Sequence, residues 1–396
     1  MLNRRKFIRS SAMISLAPVV PSFLASLAHA TEMPQGDGRF LVVIQLDGGN
    51  DGINTVVPLA DEGCKQHRHQ LRLPDSELIK VNGDFALHAR LRSICQLLEQ
   101  DRLSIVHGVG YPNPNRSHFE SMKFWHVGSN QQEQVEQGNG WIGDSFGTGP
   151  VRSGSPHAVH VGDESMPLAL CGRRCISTTI SNPADMRLRA STVVSPETSS
   201  PSDATGLNQF VTKVVTQAYT SSRQISELAK QDSSVRYPES RLAGRLKLIS
   251  DMIKSDLGAQ VYYTLQPGYD THAGQLGSHG DLLGELSSSL NAFTDDLRQS
   301  GLEDRVLVLC FSEFGRRVAE NDSLGTDHGT AGPVFLAGTR LANRSYGVLP
   351  SLTDLDDGDL KFHVDFRHIY GSILTEWLGL RLPSWLKGYR LVNLLT

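Results

Sequence analysis

Five short segments carry the residue types that metal and acid–base chemistry need. They are Asp47-Gly48-Gly49-Asn50-Asp51-Gly52, Ser117-His118, Asp270-Thr271-His272, Ser312-Glu313-Phe314-Gly315-Arg316-Arg317 and Gly325-Thr326-Asp327-His328-Gly329. Carboxylates and imidazoles drawn from several segments form the donor set of a hard or borderline divalent cation. The candidate ligands are Asp47, Asp270, His272, Glu313, Asp327 and His328. Each has a plainer explanation. Asp47 and Asp327 sit beside glycines, as turn residues do. Asp270 and His272 fit a solvated loop pair, and Glu313 can pair with Arg316 or Arg317. What argues for a shared site is repetition: four separate loops place Asp, His or Glu after apolar strands.

Ser117 supports two readings. Ser117-His118-Phe119-Glu120 matches the Ser-x-x-Glu capping box of a helix start. A helix start also presents free N–H groups and favours negative charge. A serine there, next to a metal that lowers its pKa, is a candidate nucleophile toward a phosphoryl or sulfuryl group. Arg116 would clamp the transferred oxygens. His118 would protonate a leaving group or simply pack against the helix.

The elements that must position these residues follow from apolar patterning. Phe40 to Leu46, Leu103 to Val106, Val261 to Leu265 and Arg305 to Phe311 read as strands buried on both faces. Leu87 to Gln100, His279 to Gln299 and Phe366 to Leu378 have helical spacing. This alternation predicts an α/β fold: a doubly wound, mainly parallel sheet with helices on both faces. Ligands gather at the carboxyl ends of strands in such sheets, where the polar segments lie. Residues 191–235 are rich in Ser and Thr, with one helix near Gly206 to Ala229, and read as a small cap or insertion.

The composition is that of a folded globular protein, with 396 residues, 39% hydrophobic and 20% charged. It excludes a disordered chain, a collagen-like repeat and a multi-pass membrane protein. Residues 1–30 stand apart. Arg4-Arg5-Lys6 with Arg9, an uncharged run from Ser10 and Ala28-His29-Ala30 look like a twin-arginine signal peptide with its cleavage site. Export by the twin-arginine machinery to the periplasm or beyond is therefore expected, with no membrane span left after cleavage. The other possibility is an uncleaved anchor, although Pro18 and Pro21 interrupt the apolar run. Without the leader, 34 basic residues face 42 acidic ones, so the net charge moves from −4 to −8. That balance gives no reason to expect nucleic acid as a partner. Five cysteines leave at least one unpaired; Cys310 reads as a buried small hydrophobe, and Cys171 and Cys175 could form a local disulfide. No haem, iron–sulfur or dinucleotide fingerprint is present.

Taken together, the twin arginines and the segments Leu46 to Gly52, Asn115 to Phe119, Tyr269 to His272, Ser312 to Arg316 and Gly325 to Gly329 resemble domain-of-unknown-function family 1501. That family more distantly resembles the alkaline-phosphatase and sulfatase superfamily. The resemblance implies an alkaline-phosphatase-like domain over 31–396 and a site for divalent metal such as zinc, manganese or calcium. Asp47 would be the ligand after the first strand, Ser117 would stand at the nucleophile position, and Asp270, His272 and His328 would hold the other ion. Ser312-Glu313 replaces the superfamily's Asp-His pair, which leaves Glu313 as the strong ligand candidate of that second site. Pro112 stands where sulfatases mature a Cys or Ser, so formylglycine is not expected. Asn50, His279 and Asn321 are candidates to orient ligands by hydrogen bonds. The function so implied is a metal-dependent hydrolase of small anionic phosphate or sulfate esters. The rival is an exported binding or assembly protein with a degenerate metal site.

Overall fold

A computed structural model describes residues 38–60, 62–129, 139–146, 156–172, 175–181, 235–255, 258–380 and 382–396. The leader at 1–30 and the expected cap at 191–235, apart from Val235, lie outside the described residues.

Nine strands form the central sheet: β1 (Phe40–Asp47), β2 (Leu103–Gly110), β3 (Ala158–Val161), β4 (Ser177–Ile180), β5 (Val261–Pro267), β6 (Val306–Phe311), β7 (Gly332–Ala337), β8 (Ser345–Tyr346) and β9 (Val364–Asp365). Their order across the sheet is β8-β2-β7-β6-β1-β5-β3-β4, with β9 also pairing β2. All pairings are parallel except those of β7, which runs antiparallel to both β2 and β6. The fold is thus α/β with a mainly parallel, mixed sheet.

The centre of the sheet is apolar on both faces because helices cover both. Alternate residues of β1 go opposite ways. Val42, Ile44 and Leu46 join one core with α1 (Arg92–Glu99), α3 (Arg241–Lys254) and α4 (Gln275–Gln299). Leu41 and Val43 join the other, with α2 (His118–Val127) and α5 (Phe366–Ser372). In that second core Trp125 of α2 is stacked between Phe311 and Phe366, at 4.8 and 4.2 Å between ring centres.

The helix expected over Leu87 to Gln100 is shorter. Phe85–His88 is instead the central strand of a small antiparallel sheet, between Val56–Pro58 and Leu78–Lys80. Its buried Phe85, Ala86 and Leu87 serve that sheet, and helix begins only at Arg92. The last long helix passes into a π-helical segment over Ile373–Trp377. No disulfide joins any of the five cysteines: Cys310 is buried as expected, and Cys175 Sγ lies 3.3 Å from Ser177 Oγ and is not bonded to Cys171. No helix among the described residues is long and apolar enough to cross a membrane.

Candidate metal centre

The turn after β1 opens the site. Gly48 and Gly49 have φ of +118° and +77°, in the left-handed region that glycine tolerates. Space demands glycine as well. A Cβ on Gly48 would lie 2.4 Å from the backbone nitrogen of Asp270, and one on Gly49 2.5 Å from the Phe314 ring. The turn therefore lets the loops after β5 and β6 close onto the end of β1.

Arg316 ties those loops together. Its side chain is fully buried and donates to the carbonyls of Gly48, Gly49, Tyr269 and Thr326, and to Asp270 Oδ1 at 2.7 Å. The plainer alternative of a local pair between Glu313 and Arg316 is not what forms; the guanidinium reaches across to Asp270. Burial opposes ionisation of Asp270, but the Arg316 guanidinium outweighs it, and the carboxyl sits at about 2. Asp270 is thus an anion at any physiological pH, and half of its side chain is open to solvent.

Three imidazoles converge on this anion. Nε2 of His118, His272 and His328 lie 3.2, 3.1 and 3.2 Å from Asp270 Oδ1, and the Nε2 atoms of His272 and His328 are 2.8 Å apart. His328 Nδ1 lies 2.7 Å from the carbonyl of Arg116, which can only accept, so Nδ1 carries the proton. Burial, against a weaker opposing pull from that carbonyl, lowers the His328 pKa. Its Nε2 then bears a lone pair toward Asp270.

Two electron-rich atoms facing each other across about 3 Å want a cation between them. Zinc bonds of about 2.0 Å in a tetrahedron separate neighbouring ligands by about 3.3 Å, close to the spacings found here. Ligand atoms of His118, Asp270 and His328 all lie within 4.8 Å of one another. His118 Nε2 is also a buried atom without a hydrogen-bond partner. The residues therefore fit a divalent ion.

The remaining candidates surround this centre. Asp327 Oδ1 is 3.3 Å from His272 Nδ1 and accepts from Asn321 Nδ2 at 3.2 Å. Asn321 also donates to the His272 carbonyl at 3.1 Å. This pair orients His272 from behind, as carboxylates do for metal-bound histidines. Glu313 is buried. Its Oε1 accepts the Gly48 N–H at 3.0 Å and lies 2.7 Å from His118 Nδ1, while its Oε2 lies 3.0 Å from Ser312 Oγ, whose one proton has the Leu46 carbonyl closer, at 2.6 Å. Asp47 accepts from Gln45 Nε2 at 2.9 Å; burial, then nearby Glu313, raises its pKa. Among the described residues the structure brings no further His, Cys, Asp or Glu donor to Asp47 and Glu313 as a third ligand. His279 bonds Asn50 Oδ1 at 2.9 Å, in the buried layer beneath the site.

Ser117 stands at the start of α2, exposed and next to His118, but its hydroxyl makes no capping bond. The capping box is thus not formed; Asn115 Oδ1 accepts the Ser117 N–H at 2.8 Å instead. The Arg116 guanidinium is turned away from the imidazoles and pairs with Asp357 and Asp359. Its role as an anion clamp would require release from those carboxylates.

Sequence reasoning missed Arg316 as the hub. Four of its partners, Gly48, Gly49, Tyr269 and Asp270, are over forty residues away, and the fifth is the carbonyl of Thr326, which residue type does not reveal.

No curated protein matches the chain. Among solved structures, it is similar to the C-terminal periplasmic domain of EcEptC from Escherichia coli, with 10% identity over 91% of this chain and 86% of that one, at a TM-score of 0.39. It is similar to the lipoteichoic acid synthase LtaP from Listeria monocytogenes, with 11% identity over 86% and 80% and a TM-score of 0.34. A protein in the alkaline phosphatase superfamily from Vibrio parahaemolyticus matches at 9% identity over 86% and 72%, with a TM-score of 0.33. Likeness at these scores says nothing about which residues act. The family model described as protein of unknown function, DUF1501, matches residues 104–360, and the chain belongs to that family.

Proposed function

We propose that this protein is an exported, metal-dependent hydrolase of small phosphate or sulfate esters. The observation that carries the reading is the convergence of imidazole Nε2 atoms on Asp270 Oδ1 at about 3 Å, at the carboxyl end of β5. Asp270, His272 and His328 would hold a divalent ion. Such an ion supplies Lewis acidity and lowers the pKa of a bound hydroxyl.

The chain's own groups supply the rest. Arg316 keeps Asp270 ionised and holds three loops in one arrangement. The Arg116 carbonyl fixes the tautomer of His328, and the Asp327–Asn321 pair fixes the ring of His272. Ser117 offers an exposed, uncommitted hydroxyl at a helix start, where free N–H groups favour an anionic ester. Either Ser117 or a water would be the nucleophile. Twin-arginine export would deliver the protein to the periplasm or the medium.

The test is metal analysis of protein exported by its native route, combined with a screen of aryl phosphates and sulfates with zinc, manganese and calcium. Turnover abolished by Asp270→Asn and by Ser117→Ala supports the reading; a protein with no stoichiometric metal overturns it. One observation favours a non-catalytic binding protein. Glu313 stands where the superfamily resemblance puts a metal ligand, yet its Oε1 is occupied by the Gly48 N–H and His118 Nδ1. Absence of turnover on every ester, with tight binding to a cell-envelope component, would select that rival.

A further inference from the structure

We infer that His118 is a metal ligand through Nε2, and that Glu313 is the residue that positions it and is not itself a ligand. This rests on the metal-centre reading above and reassigns both residues. It predicts a single-ion centre in which α2 supplies one of the donors.

The imidazole of His118 is fixed at one end. Its Nδ1 lies 2.7 Å from Glu313 Oε1, and that oxygen is held in turn by the Gly48 N–H at 3.0 Å. The carbonyl of Glu313 accepts from Ser121 Oγ at 2.7 Å and from Trp125 Nε1 at 2.8 Å. Both donors lie on α2, the helix that His118 begins. Segment 312–313 therefore grips α2 at three places along its length. The ring packs against Phe314 at 4.9 Å and meets His328 edge-on at 4.1 Å.

The other end of the ring is unsatisfied. His118 Nε2 is buried, has no hydrogen bond, and lies 3.2 Å from Asp270 Oδ1 without the alignment of one. An unmade hydrogen bond on a buried nitrogen is costly. An ion bound by His118, Asp270 and His328 removes that cost at once. The arrangement of Glu313, His118 and ion is then the carboxylate–histidine–metal relay, in which the carboxylate sets the tautomer and sharpens the basicity of Nε2. A carboxylate whose Oε1 is already shared between the Gly48 N–H and His118 Nδ1 is suited to that work and poorly suited to coordination through the same oxygen.

The experiment titrates purified, metal-free mature protein with zinc and cobalt against a chromophoric chelator, and records the visible spectrum of the cobalt form. Folding of each variant is checked by its thermal transition. His118→Asn keeps an amide donor near the Nδ1 position while removing Nε2, so the anchor to Glu313 survives. It should weaken metal binding by about 100-fold or more and change the cobalt spectrum; His118→Gln, which returns an oxygen near Nε2, should recover part of the loss. Glu313→Gln should keep one bound ion and weaken it by about 10- to 100-fold, the range for groups behind a ligand. Wild-type affinity and an unchanged cobalt spectrum in His118→Asn, alongside lost binding in Asp270→Ala, would overturn this inference and leave the metal centre standing. Loss of binding in Glu313→Gln equal to that in Asp270→Ala would make Glu313 a ligand and also overturn it. Wild-type protein that binds no ion would overturn the metal-centre reading itself.

Discussion

Asp51 and Asp270 both follow strands at the same end of the sheet, and both pair with a buried arginine. Their surroundings differ in one respect that decides what each can do. Asp51 is fully buried and has spent its oxygens: Arg68 binds both, Gln275 donates to one, and the Ile53 N–H caps the short helix Gly52–Thr55. Burial opposes its ionisation, and Arg68 prevails, so its pKa is lowered. Asp270 gives one oxygen to Arg316 and turns the same oxygen to three imidazoles, half open to solvent. An arginine partner therefore does not distinguish a structural carboxylate from a functional one. Unspent acceptor capacity and access do.

The largest expected effect separates the two nodes by stability. Asp51→Ala leaves Arg68 buried without its partner and should cost about 3–5 kcal/mol. Asp270→Ala leaves Arg316 with four carbonyl acceptors. It should lower the denaturation midpoint far less while abolishing metal binding. Equal destabilisation in urea melts would erase the distinction.

Acid should sharpen it next. His279 is buried beside Asn50, and burial lowers its pKa to about 4. The unfolded chain, with its histidines near pH 6.5, takes up a proton that the folded chain refuses. Stability from this group is therefore fully present above pH 6.5 and is lost as pH falls toward 4. Buried His107, lowered to about 4, adds a slope of the same sign. Thermal transitions between pH 4 and 7 should fall with pH, and His279→Gln should flatten part of that fall.

Smaller effects belong to the rim. Arg116→Ala removes a partly exposed guanidinium from Asp357 and Asp359 and should cost about 1 kcal/mol or less. If Arg116 binds the ester, KM should rise in the same variant. Ser117→Ala should change stability by no more than about 0.5 kcal/mol, since no capping bond is lost. A larger drop would show that the hydroxyl is a cap after all, and unchanged turnover would assign attack to water.

The parts of this architecture that alternate long apolar strands with amphipathic helices were legible in the sequence. Phe40–Asp47, Val261–Pro267 and Val306–Phe311 are near-continuous apolar runs because both sheet faces are covered. The short strands Ala158–Val161 and Ser177–Ile180 were not legible, because four residues set no period. Nor was Gly332–Ala337, which opens on Gly-Pro. At the site, residue types named the candidate ligands, and the family resemblance grouped Asp270, His272 and His328 as neighbours. They could not tell that Glu313 faces His118, or that Arg316 spans to Tyr269, because those partners meet only through tertiary contact.

The single reversed strand β7 has a consequence for how the site can vary. Because β7 runs opposite to β6, the chain leaves the sheet at Phe311 and re-enters at Gly332 along the same rim. A parallel successor would have forced a crossover to the far side of the sheet. The segment between them is a return loop anchored at both ends, and it contributes both Glu313 and His328. Its tip belongs to the scaffold as well: the carbonyls of Ser323 and Leu324 accept the N–H groups of Gly274 and Gln275 at the start of α4, and Asn321 accepts from Ser323 and Gly325 while it holds Asp327 and the His272 carbonyl. Residues added or removed there would leave every strand in register and still move His272, so this loop tunes the centre directly.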